Sequence, residues 1–128
     1  MKVDTHLTQD WKKIPEHIQR VEAEGYDGVG TAEMNHDPFF PLLIGAEHSE
    51  RVELRTGIAV AFARSPMTMA NQAHDLNAYS KGRFTLGLGS QIRAHITKRF
   101  SMPWGAQAAQ MRELVLAMRA IWANWSDG

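Results

Sequence analysis

Hydrophobic residues along the chain alternate between short runs typical of β-strands and longer segments with helical spacing. Runs rich in β-branched residues predict strands at residues 2–5, 27–32, 52–60 and 83–88. Each run is followed by a segment in which apolar residues recur every three or four positions, as on one face of a helix. The alternation is typical of parallel βα units, and four such units can be counted.

Cap and turn residues predict where the helices begin and end. Pro15 suits the first turn of the first helix, and Gly25 is placed to end it. Ser65 and Pro66 form an N-cap and first-turn pair for the third helix, which is expected to end at the turn 80–82. The second helix opens at residues 38–41. The buried face of the second helix is predicted at Leu42, Leu43 and Ala46. That of the last helix is predicted at Met111, Leu114, Val115, Met118, Trp122 and Trp125.

The rhythm of the units predicts the fold class. Strand starts lie roughly 25 to 30 residues apart, about the length of one βα unit. A complete (β/α)8 TIM barrel takes about 250 residues, so the 128 residues of this chain supply about half of one. We therefore predict a single half-barrel domain over residues 1–128, with a parallel sheet. An open, doubly wound sheet of four strands is the alternative.

Composition narrows the possible partners and chemistry. Acidic and basic residues balance at 14 each. The chain therefore has no net positive charge that would favour binding to the phosphate backbone of nucleic acids. No apolar run approaches the roughly 20 residues of a membrane span, and the charged N-terminus is unlike a signal peptide. We expect a cytoplasmic protein without nucleic-acid or membrane partners. The chain has no cysteine, so redox chemistry would require a bound cofactor.

A polar loop follows the second strand, at the edge where parallel α/β folds bind ligands. Glu33, His36 and Asp37 lie in this loop. An imidazole close to a carboxylate suits general acid/base chemistry, so His36 and Glu33 are candidate catalytic residues. The alternatives are a metal site, which the pattern favours least, and an Asp37 that caps the next helix while His36 is solvated.

A glycine-bearing loop follows the fourth strand. Residues 87–90 leave a strand and precede a short helix, an arrangement that can direct backbone N–H groups at a phosphate. The loop is not a dinucleotide-binding fingerprint, because Ile92 stands where a third glycine is needed. A plain strand-to-helix turn is the other interpretation. Arg93, Lys98 and Arg99 form a basic cluster nearby, which is either solvated or in contact with an anionic cofactor tail.

Four segments together resemble a known family. "EGYDGVGTAE", "LRTGIAVAFARSPMTMA", "SKGRFTLGLGS" and "MRELVLAMRAIW" occur in this order along nearly the whole chain. They resemble the N-terminal half of luciferase-like monooxygenases, especially the branch that depends on coenzyme F420. The resemblance implies an oxidoreductase that carries out hydride transfer or monooxygenation on a small organic molecule. It implies coenzyme F420 as the cofactor, with FMN as the alternative.

The resemblance also implies positions for the cofactor. Gly57 and Ile58 match the place where family members have a non-prolyl cis peptide behind the cofactor ring. Gly89, Ser90 and Gln91 match a loop that contacts the ribityl phosphate, and Arg93 follows that loop.

Glu33 matches an acidic residue that lies near the ring in the family. Luciferases continue from that acid with a histidine pair, whereas this chain has Met34 and Asn35, and its histidine comes later, at His36. His36 is therefore the expected substitute for the missing histidines. Only the geometry of the folded chain can test this substitution.

Half a barrel also has consequences for assembly and activity. Two unpaired strand edges and an exposed apolar face would favour association, so we expect a homo-oligomer. A chain that lacks the second half of the family's site would be inactive alone, or would serve as a non-catalytic module that binds flavin, deazaflavin or another copy of itself.

Overall fold

The computed structural model describes residues 1–127. Its main sheet contains four parallel strands, and a pair of short parallel strands continues two of them. The strands are β1 (Asp4–His6), β2 (Gly28–Thr31), β3 (Glu53–Thr56), β4 (Ala59–Val60), β5 (Phe84–Thr85) and β6 (Leu88–Gly89). The helices are α1 (Ile14–Ala23), α2 (Phe40–Glu47), α3 (Pro66–Tyr79) and α4 (Gln107–Asp127).

The strands follow one another across the sheet in chain order. The main sheet has the order β1-β2-β3-β5, and β4 pairs with β6. A doubly wound sheet would instead reverse direction at a switch point. The alternative of an open doubly wound fold is therefore wrong, and the progression is that of consecutive units of a barrel.

The core lies between the sheet and the helices. Val29 and Leu54 project from the strands and are fully buried, and α1 and α2 contribute Ile18 and Leu42, which are also fully buried. The predicted burial of Leu43 and Trp125 is wrong, because 42% and 38% of these residues remain exposed. Leu43 lies one position past the buried face of α2, and Trp125 lies near the end of α4, beyond the buried Leu114 and Met118.

The third and fourth predicted strands are each interrupted. The predicted strand 52–60 is divided at the Gly57–Ile58 peptide, which is cis, and the predicted strand 83–88 is divided between β5 and β6. At the interruption the Thr56 hydroxyl donates to the Gly87 carbonyl (2.8 Å) and accepts from the Gly87 N–H (2.9 Å). The Thr56 side chain thus bonds to both backbone groups of Gly87, whose carbonyl also accepts from the Ala59 N–H (2.8 Å), so the regular ladder of backbone hydrogen bonds is interrupted here.

The boundaries of the helices follow the predicted caps closely. Ser65 accepts a hydrogen bond from the Thr68 N–H at the start of α3. Gly25, just beyond α1, has a φ of +85°, which glycine adopts without steric cost. β1 begins two residues later than predicted, at Asp4, where pairing with Gly28 starts. Within residues 1–127, no helix combines the length and apolar character needed to cross a membrane.

The concave face of the sheet, opposite the helices, is charged. Arg55 on β3 reaches across β2 to Asp4 on β1, with 2.8 Å between the guanidinium and the carboxylate, and also pairs with Glu53. The Arg55 side chain crosses β2 above Gly28 and Gly30, which leave room for it because they have no side chains. A side chain at Gly28 would collide with Asp4. The expectation of an exposed apolar face is therefore wrong for this surface, because the outward strand positions carry ionic residues on β1 and β3 and glycines on β2.

Candidate functional site

Two segments that the sequence analysis placed at the cofactor meet at the carboxyl edge of the sheet. Ala59 pairs with Leu88 and Val60 pairs with Gly89, so Gly57 and Ile58 lie beside the glycine loop. The contact is close: a Cβ atom added to Gly89 would lie 2.6 Å from Ile58 Cδ1. The two segments therefore lie side by side on one rim, the arrangement needed if both contact the same cofactor.

The loop after β6 has an unusual backbone. Gln91 has a φ of +57°, a left-handed conformation that few residues other than glycine adopt. Its Oε1 lies 3.2 Å from Nδ1 of His95, which begins a π-helical turn at His95–Arg99 in place of a regular short helix. Arg93 is exposed beside this turn. The loop thus presents Ser90 and Gln91 at the rim, with Arg93 directed to solvent.

Glu33 is held in a buried ion pair. Only 7% of its side chain is exposed, and its partner Arg64 is 12% exposed. Glu33 Oε1 accepts from Arg64 Nη2 (2.7 Å), while Oε2 accepts from Arg64 Nη1 (2.9 Å) and from the Val60 N–H (2.6 Å). Both oxygens of the candidate catalytic carboxylate are therefore already bound by this chain.

Arg64 is the residue of this region that the sequence analysis missed. It lies in the loop after β4, immediately before the Ser65 cap of α3. Its guanidinium stacks 5.2 Å from the centre of the Phe39 ring and lies 3.6 Å from Asp37. The sequence did offer a signal for Arg64, a charged residue between an apolar strand and a helix cap. It could not show the partner of this arginine, because Glu33 is 31 residues away in sequence.

Asp37 and His36 separate in the fold. Asp37 Oδ1 accepts from the N–H groups of Phe39 (2.7 Å) and Phe40 (2.9 Å) at the start of the second helix. Asp37 thus binds the helix start, as in the capping alternative, although Phe39 and not Asp37 is the N-cap residue. His36 is exposed, and its ring meets the indole of Trp11 edge-on, with 6.1 Å between the ring centres. His36 is therefore free to contact a ligand.

A cavity of about 300 Å³ opens between the loops after β1 and β2. Glu33 is not among its walls, whereas His36 is. The opposite wall comes from the loop after β1, where the Thr8 N–H donates to His17 Nδ1 (3.3 Å). Burial, followed by the positive charge of Arg20, lowers the pKa of His17, which favours the neutral form that accepts this hydrogen bond. The walls include His6, Thr8, Trp11, Met34, Asn35 and His36.

The structure also bears on metal binding. Across residues 1–127, no three or more His, Asp and Glu side chains are grouped so that they could hold a metal ion. The loop after the second strand instead binds the cation of Arg64 through Glu33 and Asp37.

Comparison with known sequences gives a consistent result. The sequence model of the family described as luciferase-like monooxygenase matches residues 2–126. The uncharacterized protein Rv1360 of Mycobacterium tuberculosis is 56% identical over all 128 residues, which span 38% of its length. The F420-dependent glucose-6-phosphate dehydrogenase of Intrasporangium calvum is 28% identical over an alignment that covers 88% of this chain and 39% of that enzyme.

Solved structures show the same fold. The monooxygenase RslO1 from Streptomyces bottropensis superposes with a TM-score of 0.80 at 24% identity, covering 96% of this chain and 43% of that one. The oxygenating constituent of 3,6-diketocamphane monooxygenase from Pseudomonas putida, in complex with FMN, gives a TM-score of 0.82 at 13% identity, covering 95% and 40%. The chain therefore has the fold of roughly the first half of such barrels, as predicted.

Proposed function

Because this chain belongs to the luciferase-like monooxygenase family, we propose that it forms the N-terminal half of a deazaflavin- or flavin-dependent oxidoreductase site. The observation that carries the proposal is the pairing of β4 with β6, which places Gly57 and Ile58 against Gly89 at the carboxyl edge of the sheet. Ligands of parallel α/β folds bind at this edge. The chain spans 38% of the length of its relative Rv1360, so the proposal concerns what this half contributes.

We propose coenzyme F420 as the cofactor, with FMN as the alternative. One relative is named as F420-dependent, and one structural neighbour was solved with FMN. Gly57 suits a planar ring because it is exposed and carries no side chain, leaving its backbone open on the rim. Gly89, Ser90 and Gln91 would lie towards the phosphate, and Arg93 would neutralise part of its charge. When bound, the cofactor would supply the hydride chemistry, which amino-acid side chains do not provide.

The cavity between the loops after β1 and β2 is the proposed position of a small organic substrate. Its walls carry His6 and His36 beside the indole of Trp11, so they offer both hydrogen bonds and an aromatic surface. His36 is the proposed proton donor or acceptor, since it is exposed on this cavity and an imidazole can both donate and accept a proton. Replacing His36 with Gln should leave cofactor binding unchanged and lower the rate of any turnover by about 10² to 10⁴, the usual contribution of one general acid or base.

Cofactor titration tests the proposal. The purified chain is mixed with coenzyme F420 and, separately, with FMN, and binding is followed by absorbance and fluorescence. Saturable binding of one cofactor is expected, and Arg93→Ala should weaken it by about tenfold, the loss of one charge-assisted contact. Arg119→Ala on the exposed face of α4 is the matched control. A wild-type chain that binds neither cofactor would contradict the proposal.

A non-catalytic binding module is the second candidate function. It is favoured by the engagement of Glu33 with Arg64 and Val60, which leaves one of the two candidate catalytic residues without a free oxygen. A chain that binds cofactor but never changes its spectrum when organic substrates are added would support the module. Substrate-dependent bleaching or recovery of the cofactor absorbance would support the oxidoreductase.

A further inference from the structure

The segment Ile58–Val60 is held by side chains and backbone from a neighbouring loop. The Glu33 N–H donates to the Ile58 carbonyl (3.2 Å), and the Glu33 carboxylate accepts from the Val60 N–H (2.6 Å). The Val60 carbonyl in turn accepts from Arg64 Nη1 (3.3 Å). Glu33 therefore contacts the segment at both ends, and Arg64 closes the ring of hydrogen bonds.

This ring of contacts is separated from the substrate cavity. Glu33 lies in the loop just after β2 with its side chain buried, and the cavity walls include its neighbours Ala32 and Met34. Both oxygens of the Glu33 carboxylate accept hydrogen bonds from Arg64 and Val60, so the group presents no free oxygen to the cavity. This geometry opposes a role in proton exchange with a substrate there.

We infer that Glu33 and Arg64 are positioning residues: together they fix the Ile58–Val60 segment beside the cofactor ring, and Glu33 exchanges no proton with substrate. The functional part of this inference rests on the proposed function, because the segment matters for catalysis only if the ring lies against it. The structural part depends only on the hydrogen bonds that Glu33 and Arg64 make with the segment. Glu33, a candidate catalytic residue by sequence, acts through Val60 and Ile58 instead.

Hydrogen exchange of the free chain tests the structural part. In Glu33→Gln the amide of Val60 loses its charged acceptor, so its exchange should accelerate at least about tenfold relative to core amides, as expected for local opening. Leu54, whose N–H donates to the Arg83 carbonyl (2.8 Å), is the internal reference. Glu47→Gln on the exposed surface of α2 is the matched control and should leave Val60 protected.

Arg64→Lys is the second variant. It keeps the positive charge but cannot bind both oxygens of Glu33 in a fork, so Val60 exchange should accelerate here as well, to a smaller extent. It replaces Glu33→Gln in the experiment if that variant fails to fold. Unchanged protection of Val60 in a folded variant of either residue would overturn the positioning role.

Cofactor binding tests the functional part. If the wild-type chain binds coenzyme F420 or FMN, Glu33→Gln and Arg64→Lys should each weaken binding about tenfold and shift the absorbance of the bound ring, because a displaced segment changes the ring's surroundings. If the wild type binds neither cofactor, the proposed function fails, while the exchange of Val60 still decides whether Glu33 and Arg64 hold the segment.

Discussion

Glu22, which lies far from the rim, stabilises the fold by accepting several backbone hydrogen bonds. Glu22 on α1 accepts hydrogen bonds from the backbone N–H groups of Glu50, Arg51 and Val52, at 2.6 to 3.1 Å. Burial raises the pKa of the Glu22 carboxyl, but the three N–H donors outweigh it, so the pKa lies below its ordinary value of 4.5. The ionised form is therefore favoured in the folded chain.

Glu22 should make stability depend on pH. Because its folded pKa is lowered, its contribution is present above the unfolded pKa and is lost as the pH falls through the folded pKa. Glu22→Gln should lower the free energy of unfolding at pH 7 by about 1 to 2 kcal/mol. The difference from wild type should shrink below pH 4.5, as measured by urea unfolding at several pH values. A difference that grows on acidification would contradict the prediction.

Gly87 is required by close packing at the strand interruption. A Cβ atom there would overlap the backbone oxygen of Thr56, which cannot move without disturbing β3. Gly87→Ala should destabilise the chain by about 1 to 3 kcal/mol. Gly105→Ala is the control, because its Cβ would meet only the end of the Gln110 side chain. Equal melting temperatures for the two variants would disprove the argument.

At the scale of elements, Arg83 joins a helix end to two strands. Its guanidinium donates to the carbonyls of Ser80, Val52, Ala46 and Ser49 and to the Ser49 hydroxyl. These acceptors lie at the end of α2, before β3 and before β5. The arginine thus satisfies carbonyl groups that the ends of secondary-structure elements leave unpaired.

Arg83→Lys should weaken the contacts between these elements and lower the stability of the chain. A lysine keeps the charge but cannot reach acceptors in several directions at once, so we expect a loss of about 2 to 3 kcal/mol in the free energy of unfolding. Chemical denaturation measures it, with Arg112→Lys on the exposed face of α4 as the control. A loss no larger than that of the control would show that the hydrogen bonds contribute little net stability.

At the scale of the whole molecule, the charged concave face changes the expected mode of assembly. In the part of the chain that the structure describes, β1 pairs only with β2, and the opposite edge is formed by β5 and β6. These edges still favour association. The face between them carries Asp4, Glu53 and Arg55, and an association that covers this face must satisfy charged groups.

We predict a homodimer that weakens as salt is added. Charges at such a face are screened beyond about 10 Å at 0.1 M salt and about 3 Å at 1 M, so sedimentation should show a rising dissociation constant between these concentrations. Arg55→Gln should alter the salt dependence, and Arg20→Gln on the exposed side of α1 should not. A monomer at all concentrations, or a dimer strengthened by salt, would contradict the prediction.

Much of the fold was predictable from local patterns, and part of the site was not. The βα rhythm, the Ser65 cap and the Gly25 terminus depend on neighbours within a few residues, and all three were confirmed. The cis peptide at Gly57–Ile58 was expected from the family resemblance and is present. The division of the strand beside it was missed, because the Thr56 hydroxyl bonds to Gly87, 31 residues away. Arg64 was missed for the same reason, since its importance depends on Glu33.

The sequence by itself determined that this chain makes four βα units with a rim at their carboxyl ends, because hydrophobic period and turn chemistry act over short distances. Only the tertiary structure decided which polar side chains at that rim are bound within the chain and which remain exposed to a ligand. It paired Glu33 with Arg64, directed Asp37 to the helix and left His36 exposed. Pairing of charges distant in sequence depends on where the packed strands place them, and no local pattern encodes that position.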